Sequence, residues 1–309
     1  MLLKKMIFFV LRRSKKIEVF LRCLFESNIK IKYVAQKIYK RRRLQKEIDI
    51  NIGLEYKEKI NSLEIKKGDI LLVHSSMDGL AKLGLSPQEL LDFLLDLVGE
   101  TGTLVMPAYP KEVIDNNIYV YDVNKSLPST GLLPFIFFKY YSNVERSSFP
   151  LNTLAAKGWE AKNIVQDNLK DVYSQGEYSS WKYCIERNMK ILFLGVEACT
   201  CNTFIHYPED ILGESWPIKD FFIEKKFKII QKNGEVIYKT IKERNPFWYR
   251  YFAMFYSGYW FSKNKYLYEY YINGVYLGLI KDTKKLAEEI LTMAKNHEIF
   301  FAIPKKYWK

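Results

Sequence analysis

Histidine and cysteine are both scarce in this chain of 309 residues. The three histidines are His74, His206 and His297, so few imidazoles are available for moving protons near neutral pH. The four cysteines are too few and too unevenly spaced for a disulfide scaffold, which predicts a reducing, cytoplasmic compartment. No apolar run reaches the roughly 18 residues of a membrane-spanning helix.

Charge is distributed very unevenly along the chain. Residues 1–50 hold 15 Lys+Arg and 4 Asp+Glu, which is +11 of the total +13. The body that follows carries only +2 and lacks the excess of cations typical of a nucleic-acid-binding face, so no nucleic-acid partner is expected. With 48% hydrophobic and 16% aromatic residues, the chain has enough apolar surface for a large buried core.

The basic N-terminal segment also has an apolar stripe. Between residues 11 and 25, apolar side chains recur at helical spacing with cations between them. Such a helix can lie on an anionic membrane surface, or it can pack on the body or on a second subunit. We therefore expect a basic amphipathic helical extension over residues 1–48 and one large folded domain over 49–309. Inner-membrane contact through residues 1–46 and a homodimer are the alternatives for the extension.

The body begins with a strand, a helix and a second strand. Residues 70–73 and 103–106 are short apolar strands, and residues 88–98 are the helix between them. This order predicts a βαβ unit in an α/β fold, with a mixed, partly parallel central sheet flanked by helices. Asn233-Gly234, between two strand-like runs, predicts a β-hairpin in the C-terminal part.

Three further segments are assigned from local signals alone. Residues 108–131 are polar and turn-rich and are predicted to be a long loop. Residues 161–170 are predicted to form one helix. Residues 274–278 are predicted to be a turn that leads into a helix over 283–297.

An imidazole with a carboxylate three residues later follows an apolar run at residues 191–196. In this spacing Glu209 can hold one ring nitrogen of His206 and raise the basicity of the other, which is what a general base needs. Surface pairs and structural histidines show the same spacing, so the pair alone does not establish catalysis.

Two cysteines close to this pair open other chemistry. Cys199 and Cys201, with His206 and Glu209, are possible zinc ligands, but a single Cys-x-Cys has no partner pair of the kind that structural zinc sites use. No metal is therefore predicted. Cys201 as a nucleophile beside His206 is a further alternative, and small packing residues are the simplest interpretation of both thiols.

Four segments of the body carry motifs in a fixed order. They are Gly-Asp-Ile-Leu-Leu-Val-His-Ser-Ser-Met at 68–77, Val-Gly-Glu-Thr-Gly-Thr-Leu-Val-Met-Pro at 98–107, Arg-Ser-Ser-Phe-Pro at 146–150 with Ala-Ala-Lys-Gly at 155–158, and Asn202-Thr203 with His206 and Glu209. Together they resemble the aminoglycoside 3-N-acetyltransferase family over residues 50–300, outside the N-terminal extension.

The resemblance implies transfer of an acetyl or other short acyl group from acyl-coenzyme A, as co-substrate, to the amine of an amino sugar. His206 would be the general base, Glu209 would orient it, and Thr203 would steady the charge on the thioester carbonyl. The residues implied to contact the cofactor are His74, Ser75, Ser76, Met77, Arg146 and Ser147. A purely structural arginine is the alternative for Arg146.

The sequence departs from the family pattern near the expected acceptor region. Phe149 and Asn152 stand where the family usually has histidines, and Tyr207-Pro208 replaces small or aliphatic residues. With the near-neutral body, these changes favour a nucleotide- or lipid-linked amino sugar from surface polysaccharide biosynthesis as acceptor. One alternative is an aminoglycoside 3-N-acetyltransferase that confers antibiotic resistance. The other is an inactive membrane-associated scaffold, against which the intact His206 and Glu209 argue.

Overall fold

The computed structural model describes residues 10–27 and 50–309. The helices of this part of the chain are α1 (Lys15–Ser27), α2 (Ile50–Asn61), α3 (Met77–Leu80), α4 (Pro87–Val98), α5 (Leu132–Tyr140), α6 (Ala161–Val165), α7 (Ser180–Glu186), α8 (Ala198–Cys201), α9 (Tyr207–Leu212), α10 (Met254–Lys263) and α11 (Thr283–Lys295). The strands are β1 (Ile70–Ser75), β2 (Thr103–Pro107), β3 (Ile114–Asp115), β4 (Ile118–Asp122), β5 (Glu145–Arg146), β6 (Leu154–Gly158), β7 (Lys190–Leu194), β8 (Phe222–Ile230), β9 (Val236–Arg244), β10 (Leu267–Ile272) and β11 (Val275–Ile280).

A mixed sheet with the strand order β10-β11-β7-β1-β2-β6-β5 forms the centre of the molecule. Strands β7, β1 and β2 are parallel, whereas β11 and β6 run antiparallel to the strands they flank. Ser86 caps α4 with a full capping box, so the β1–α4–β2 unit forms as its sequence signals predict. The predicted mixed, partly parallel sheet flanked by helices is confirmed.

Both faces of this sheet are buried under helices. Apolar side chains of α2, α4 and α5 cover one face, and those of α7, α10 and α11 cover the other. Tyr56 of α2 also donates a hydrogen bond of 2.7 Å to the carbonyl of Tyr276, which joins the helix to the sheet. Burial on both faces explains why β1 and β7 are continuous apolar runs rather than alternating ones.

A smaller sheet has the order β3-β4-β8-β9. Its β8–β9 hairpin, with Gly234 at φ +87°, is the hairpin predicted from Asn233-Gly234. The prediction that residues 108–131 form only a loop is wrong, because β3 and β4 lie inside this segment. Strand β4 pairs with β8, about a hundred residues later, and local turn signals carry no information about such a distant partner.

Two other local assignments need correction. Residues 275–280 form the fully buried strand β11 rather than a turn, and only Gly274, at φ +82°, has turn geometry there. The helix predicted over 161–170 ends at Val165, because Asp167 adopts a left-handed backbone at φ +62° and only a short 3-10 turn follows.

The N-terminal helix α1 confirms the helical spacing seen between residues 11 and 25, and it packs on the body with Glu18 and Val19 buried. The apolar start of the chain, the basic run at 40–43 and the expected boundary between 48 and 49 lie outside the described residues. Among the helices that are described, none is long and apolar enough to cross a membrane.

Candidate active site

The carboxyl ends of the parallel strands gather the polar residues singled out in the sequence. Ser75 ends β1 beside Leu194 at the end of β7, and Tyr109 follows β2. After β7, helix α8 and a 3-10 turn over Thr203–His206 lead directly into α9. Parallel α/β sheets place their ligand sites at this edge.

His206 and Glu209 form a close pair at this edge. The imidazole Nδ1 lies 2.9 Å from the carboxylate Oε1, and the side chains are 20% and 2% exposed. Pro208 stands in the first turn of α9 and keeps the helical spacing that brings the two residues together. Because the carboxylate accepts the Nδ1 hydrogen, Nε2 is the nitrogen left to take up a proton.

A buried arginine at the end of β9 holds the carboxylates in place. Arg244 Nε lies 2.5 Å from Glu209 Oε2, and its Nη2 lies 2.9 Å from Asp210 Oδ1. Burial opposes the charge on Arg244, but Asp210 and Glu209 outweigh it and raise its pKa above the usual value. Burial raises the pKa of Asp210, although Arg244 and the hydrogen bond from Ser174 act against this.

Asp210 extends the network away from the imidazole. Its Oδ2 accepts hydrogen bonds from the Ser174 hydroxyl at 2.7 Å and from the Gln175 backbone at 2.8 Å. Gln175 Nε2 in turn donates to the carbonyl of Thr203 at 2.8 Å. The turn that carries Thr203 is therefore fixed to the same buried carboxylate cluster as the imidazole.

Thr203 forms a hydrogen bond with a tyrosine that follows strand β2. The Tyr109 hydroxyl donates to Thr203 Oγ1 at 2.7 Å. Burial raises the pKa of Tyr109, which keeps its phenol protonated and able to donate. With its oxygen already accepting this bond, the Thr203 hydroxyl has its own hydrogen available for another acceptor.

His206 borders a cleft of about 510 Å³. Its lining includes Asn152, the segment from Ala198 to Thr203, Arg244, Phe252 and, from the N-terminal helix, Arg22. A smaller cavity of about 190 Å³ adjoins it and shares Asn152, Arg244 and Tyr249. The site therefore opens on two adjoining spaces, and Asn152 and Arg244 line both of them.

The carboxylates that line the smaller cavity already have cationic partners. Lys225 lies 2.9 Å from Glu112 and 2.8 Å from Glu243, and Arg244 pairs with Asp210. The cavity is therefore close to electrically neutral despite its three acidic side chains.

The two residues that replace family histidines differ in position. Phe149 is buried in the core of the smaller sheet, against residues such as Tyr121 and Phe227, and faces neither space. Asn152 lines both spaces, adopts a left-handed backbone at φ +48° and donates to Ser174 at 2.6 Å. Only one of the two changes therefore borders the site.

Four of the six residues predicted to contact the cofactor, His74 to Met77, lie at the end of β1 and the start of α3. His74 is buried against Phe193 and burial lowers its pKa to about 3, so it is neutral near pH 7. Ser76 caps the short helix α3, and Met77 begins it. Gly79 touches the turn after β7 so closely that a Cβ would lie 1.8 Å from the carbonyl oxygen of Gly195. Across residues 10–27 and 50–309, no hydrogen bond joins Ser75 or Ser76 to His206.

Arg146 and Ser147 point into the protein. Arg146 donates to the carbonyls of Ala108, at 2.6 Å, and of Ser126, and its guanidinium lies on the Phe138 ring. The Ser147 hydroxyl donates to Asn168 Oδ1 at 2.5 Å. These contacts favour the structural alternative for Arg146, while its predicted phosphate contact stays a prediction.

The two cysteines beside the site lack the features of reactive thiols. Burial raises the pKa of Cys199 to about 12, with Glu197 adding to the effect, and burial also raises the pKa of Cys201. In the described parts of the chain, no group of three or more His, Cys, Asp or Glu side chains is arranged to hold a metal ion.

We expect no acyl group to be transferred to these thiols. After mixing with acetyl-coenzyme A and no acceptor, the intact protein should keep its unmodified mass. Removal of a covalent nucleophile lowers kcat by about 10⁴-fold or more, and the Cys201→Ala variant should show no loss of that size. A protein that gains one acetyl group, and fails to do so in the variant, would restore the cysteine mechanism.

Sequence reasoning missed the residues that support the pair. Asp210 follows Glu209 directly, and two acids in the first turn of a helix are a visible signal, but they are usual in helix starts. Arg244 lies 35 residues beyond Glu209, in a strand with three other charged residues, so nothing local marks it as their partner.

The fold and the site define a class of protein: a mixed α/β chain with a buried His–Glu–Arg cluster at the carboxyl edge of its parallel strands. The sequence model described as aminoglycoside 3-N-acetyltransferase matches residues 72–269. The chain belongs to this family, and the predicted resemblance is confirmed.

Curated relatives match part of the chain. It is 26% identical over 171 residues to the SPbeta prophage-derived aminoglycoside N(3')-acetyltransferase-like protein YokD of Bacillus subtilis (strain 168), over 48% of this chain and 62% of that protein. It is 30% identical over 148 residues to aminoglycoside N(3)-acetyltransferase IV of Salmonella sp, over 48% of this chain and 54% of that protein. The chain thus matches less than two thirds of either relative.

Solved structures match over a longer range. The AAC(3)-IVa apoenzyme superposes with a TM-score of 0.65 at 24% identity, over 85% of this chain and 94% of that chain. The AAC-IIIb complex with CoASH superposes with a TM-score of 0.66 at 19% identity, over 82% of this chain and 98% of that chain. The AAC-VIa complex with sisomicin superposes with a TM-score of 0.62 at 17% identity, over 81% of this chain and 98% of that chain. At these identities the likeness shows a common fold.

Proposed function

We propose that the chain is an acetyl-coenzyme A-dependent N-acetyltransferase that acts on an amine of an aminoglycoside. The observation that carries the proposal is the His206–Glu209 pair, 2.9 Å apart beside an open cleft, in a member of this family. Two different fold relatives form complexes, one with coenzyme A and the other with sisomicin, and together they support a site with two reactants.

The reaction needs a base because a sugar ammonium cannot attack a thioester until it loses a proton. One proton of the ammonium passes to solvent, and His206 Nε2 takes the second as the amine nitrogen forms its bond to the acetyl carbon. The carbon–sulfur bond then breaks, and the coenzyme A thiolate leaves and is protonated. The imidazolium gives its proton to the thiolate, so atoms and charge balance as one amide, one free thiol, one proton released to solvent and a regenerated imidazole.

Glu209 and Arg244 prepare His206 for this step. The Glu209 carboxylate fixes the Nδ1 tautomer and stabilises the imidazolium that forms. Arg244 holds the other carboxylate oxygen, at 2.5 Å, so that the carboxylate cannot turn away from the ring. This is the role for which Glu209 was predicted, with a positioning cation added.

Thr203 is the donor that we assign to the thioester oxygen, which becomes negative as the amine attacks. Tyr109 supports this role, since its hydrogen bond of 2.7 Å occupies the Thr203 oxygen and leaves the Thr203 hydrogen to donate. Hydrogen bonds in such a chain strengthen one another.

The Tyr109→Phe variant tests this chain of donors. We expect kcat to fall about 3- to 30-fold, less than the roughly 10²–10³-fold cost of losing a direct oxyanion donor. Because the phenol does not contact coenzyme A in this scheme, KM for acetyl-coenzyme A should stay unchanged. Tyr140→Phe, at an exposed position, is the matched control. Unchanged kcat in Tyr109→Phe would remove Thr203 and Tyr109 from the mechanism.

The coenzyme A moiety is assigned to the end of β1. Ser75, Ser76 and Met77 are partly exposed there, and Ser76 and Met77 form the start of α3. Buried His74 would support this segment from within the sheet. The acyl group itself, acetyl or another short chain, follows from the family rather than from any feature of the cleft.

A second acceptor class is favoured by charge. The cleft beside His206 is bordered by Arg22 and Arg244, and the carboxylates of the adjoining cavity are already paired. The two arginines are paired as well, Arg22 with Glu18 and Arg244 with Glu209 and Asp210, so a polycation would find little unpaired negative charge in either space. This keeps the surface-polysaccharide prediction as the second candidate, although the relatives support the aminoglycoside.

One assay separates the two acceptor classes. Aminoglycosides, free amino sugars and nucleotide-linked amino sugars are each mixed with acetyl-coenzyme A while thiol release is followed. The proposal expects turnover of at least one aminoglycoside, and His206→Ala run in parallel excludes uncatalysed hydrolysis. Turnover of nucleotide-linked sugars alone would replace the acceptor, and no turnover with any amine would support the inactive scaffold.

The remaining predictions concern where the protein works. Peripheral contact with the inner membrane face and a homodimer stay predictions from the basic extension, and a cytoplasmic location stays a prediction from the scarce cysteines. Deleting residues 1–46 and measuring binding to vesicles that contain anionic lipid tests the first of these.

A further inference from the structure

The N-terminal helix α1 makes directed polar contacts with the body, beginning at Glu18. This carboxylate is 1% exposed and accepts hydrogen bonds from the backbone of Phe255, at 3.0 Å, and of Tyr256, at 2.8 Å. Helix α10 has no side-chain cap of its own at Ala253. Glu18 therefore supplies, from a distant part of the chain, the cap that the first turn of α10 lacks.

Arg22, one turn further along α1, continues this contact. Its guanidinium lies 2.6 Å from Glu18 Oε1 and donates to the carbonyl of Phe252 at 2.5 Å. Phe252, two residues before α10, and the first turn of α10 are thus held by one ion pair on α1. Burial raises the pKa of Glu18, which the hydrogen bonds and Arg22 counteract.

Phe252 connects this anchor to the proposed base. Its ring lies 5.3 Å from the His206 ring at an angle of 42°, and on another side it contacts the Phe301 ring at 5.2 Å. Arg22, His206 and Phe252 border the same cleft, together with Met254 and Ser257 from α10. Helix α1 therefore reaches the site both through Phe252 and through the cleft wall.

We propose that Glu18 and Arg22 are positioning residues for His206, so that helix α1, which lies outside the matched residues 72–269, forms part of the active site. The inference rests on the proposed function. The pair fixes Phe252 and the start of α10, and Phe252 covers one face of the imidazole. Loosening this anchor lets the imidazole rotate away from the attacking amine.

The test compares Glu18→Gln with Lys16→Ala, an exposed position on the same helix. Glutamine keeps the size of the side chain but loses the charge and one acceptor oxygen. We expect Glu18→Gln to lower kcat about 10-fold, since small displacements of reacting groups cost up to 10²-fold, with KM for acetyl-coenzyme A unchanged. Lys16→Ala should behave as the unaltered protein.

A second readout does not depend on activity. The chain has three imidazoles, so the NMR signals of histidine ring protons are few, and His206→Ala assigns the one of interest. Glu18→Gln should shift the His206 signal and leave that of exposed His297 in place. If no acceptor is found for the protein, this shift still tests the anchor, which separates failure of the inference from failure of the proposed function.

Arg22→Met provides an independent variant if Glu18→Gln does not fold. It removes the contact to Phe252 while leaving Glu18 to cap α10, and it should also shift the His206 signal. A lower melting temperature with an unmoved His206 signal and unchanged kcat, in whichever variant folds, would show that α1 is structural only and would overturn the inference.

Discussion

Replacing His206 by alanine is expected to lower kcat by about 10²–10⁴-fold, the usual cost of losing a general base. The imidazole is the group beside the cleft that is oriented by a buried carboxylate, with its free nitrogen left to accept a proton. Binding of coenzyme A, measured by calorimetry, should be almost unchanged, because the loss falls on proton transfer and not on the co-substrate.

His297→Ala is the matched control, since this imidazole is exposed and stacks on Trp308 away from the cleft. It should retain full activity. If His206→Ala kept more than about a tenth of the normal kcat, the loss would be too small for a general base, and another group would have to take the proton.

Among the proposed substitutions, Arg244→Met should lower the free energy of unfolding most. The change leaves Glu209 and Asp210, both almost fully buried, without their cation. Breaking a buried ion pair on one side typically costs about 3–5 kcal/mol of unfolding free energy. Urea unfolding measures this loss, and Arg250→Met, at an exposed position, is the control.

The pH dependence of this loss has a definite sign. Burial already raises the pKa of Asp210, and removing Arg244 removes the main influence against that rise. The folded variant then holds a proton on Asp210 more tightly than the unfolded chain does, so its stability deficit should shrink as the pH falls. A stability deficit that grew towards low pH would contradict the role of Arg244 as the cation that opposes the rise in the Asp210 pKa.

A combined variant separates charge from packing. Glu209→Gln, Asp210→Asn and Arg244→Met together remove all three charges and should recover much of the stability lost by Arg244→Met alone. The same variant should remain inactive, because the amide at 209 cannot stabilise the imidazolium. Recovery of activity would show that the carboxylate is not needed to orient His206.

Much of the fold follows from signals that are local in sequence. The capping box at Ser86 and Glu89 and the hairpin turn at Asn233-Gly234 each specify a structure through neighbours a few residues away. Two of the three errors fall where pairing with a distant strand decides. Strand β4 exists because β8 lies beside it, and β11 because it is buried between β10 and β7.

The site divides in the same way. His206 and Glu209 were found because one helical turn brings them together, and Thr203 because its motif belongs to the family. Arg244 and Glu18 complete the site across long stretches of chain, at the end of one strand and on the N-terminal helix. Residue type and spacing do not report such partners, since only the folded chain brings them within hydrogen-bond distance.

The central claim is direct transfer of an acetyl group from the thioester to an amine, with His206 as base. The most direct measurement is product analysis of the full chain with acetyl-coenzyme A and an aminoglycoside, by mass spectrometry and by NMR of the acetylated position. With His206 as the base, we expect one N-acetyl group on the acceptor for each coenzyme A released, and we expect this product to be lost in His206→Ala. An acetyl group on oxygen or on the protein, or undiminished product from His206→Ala, would contradict it.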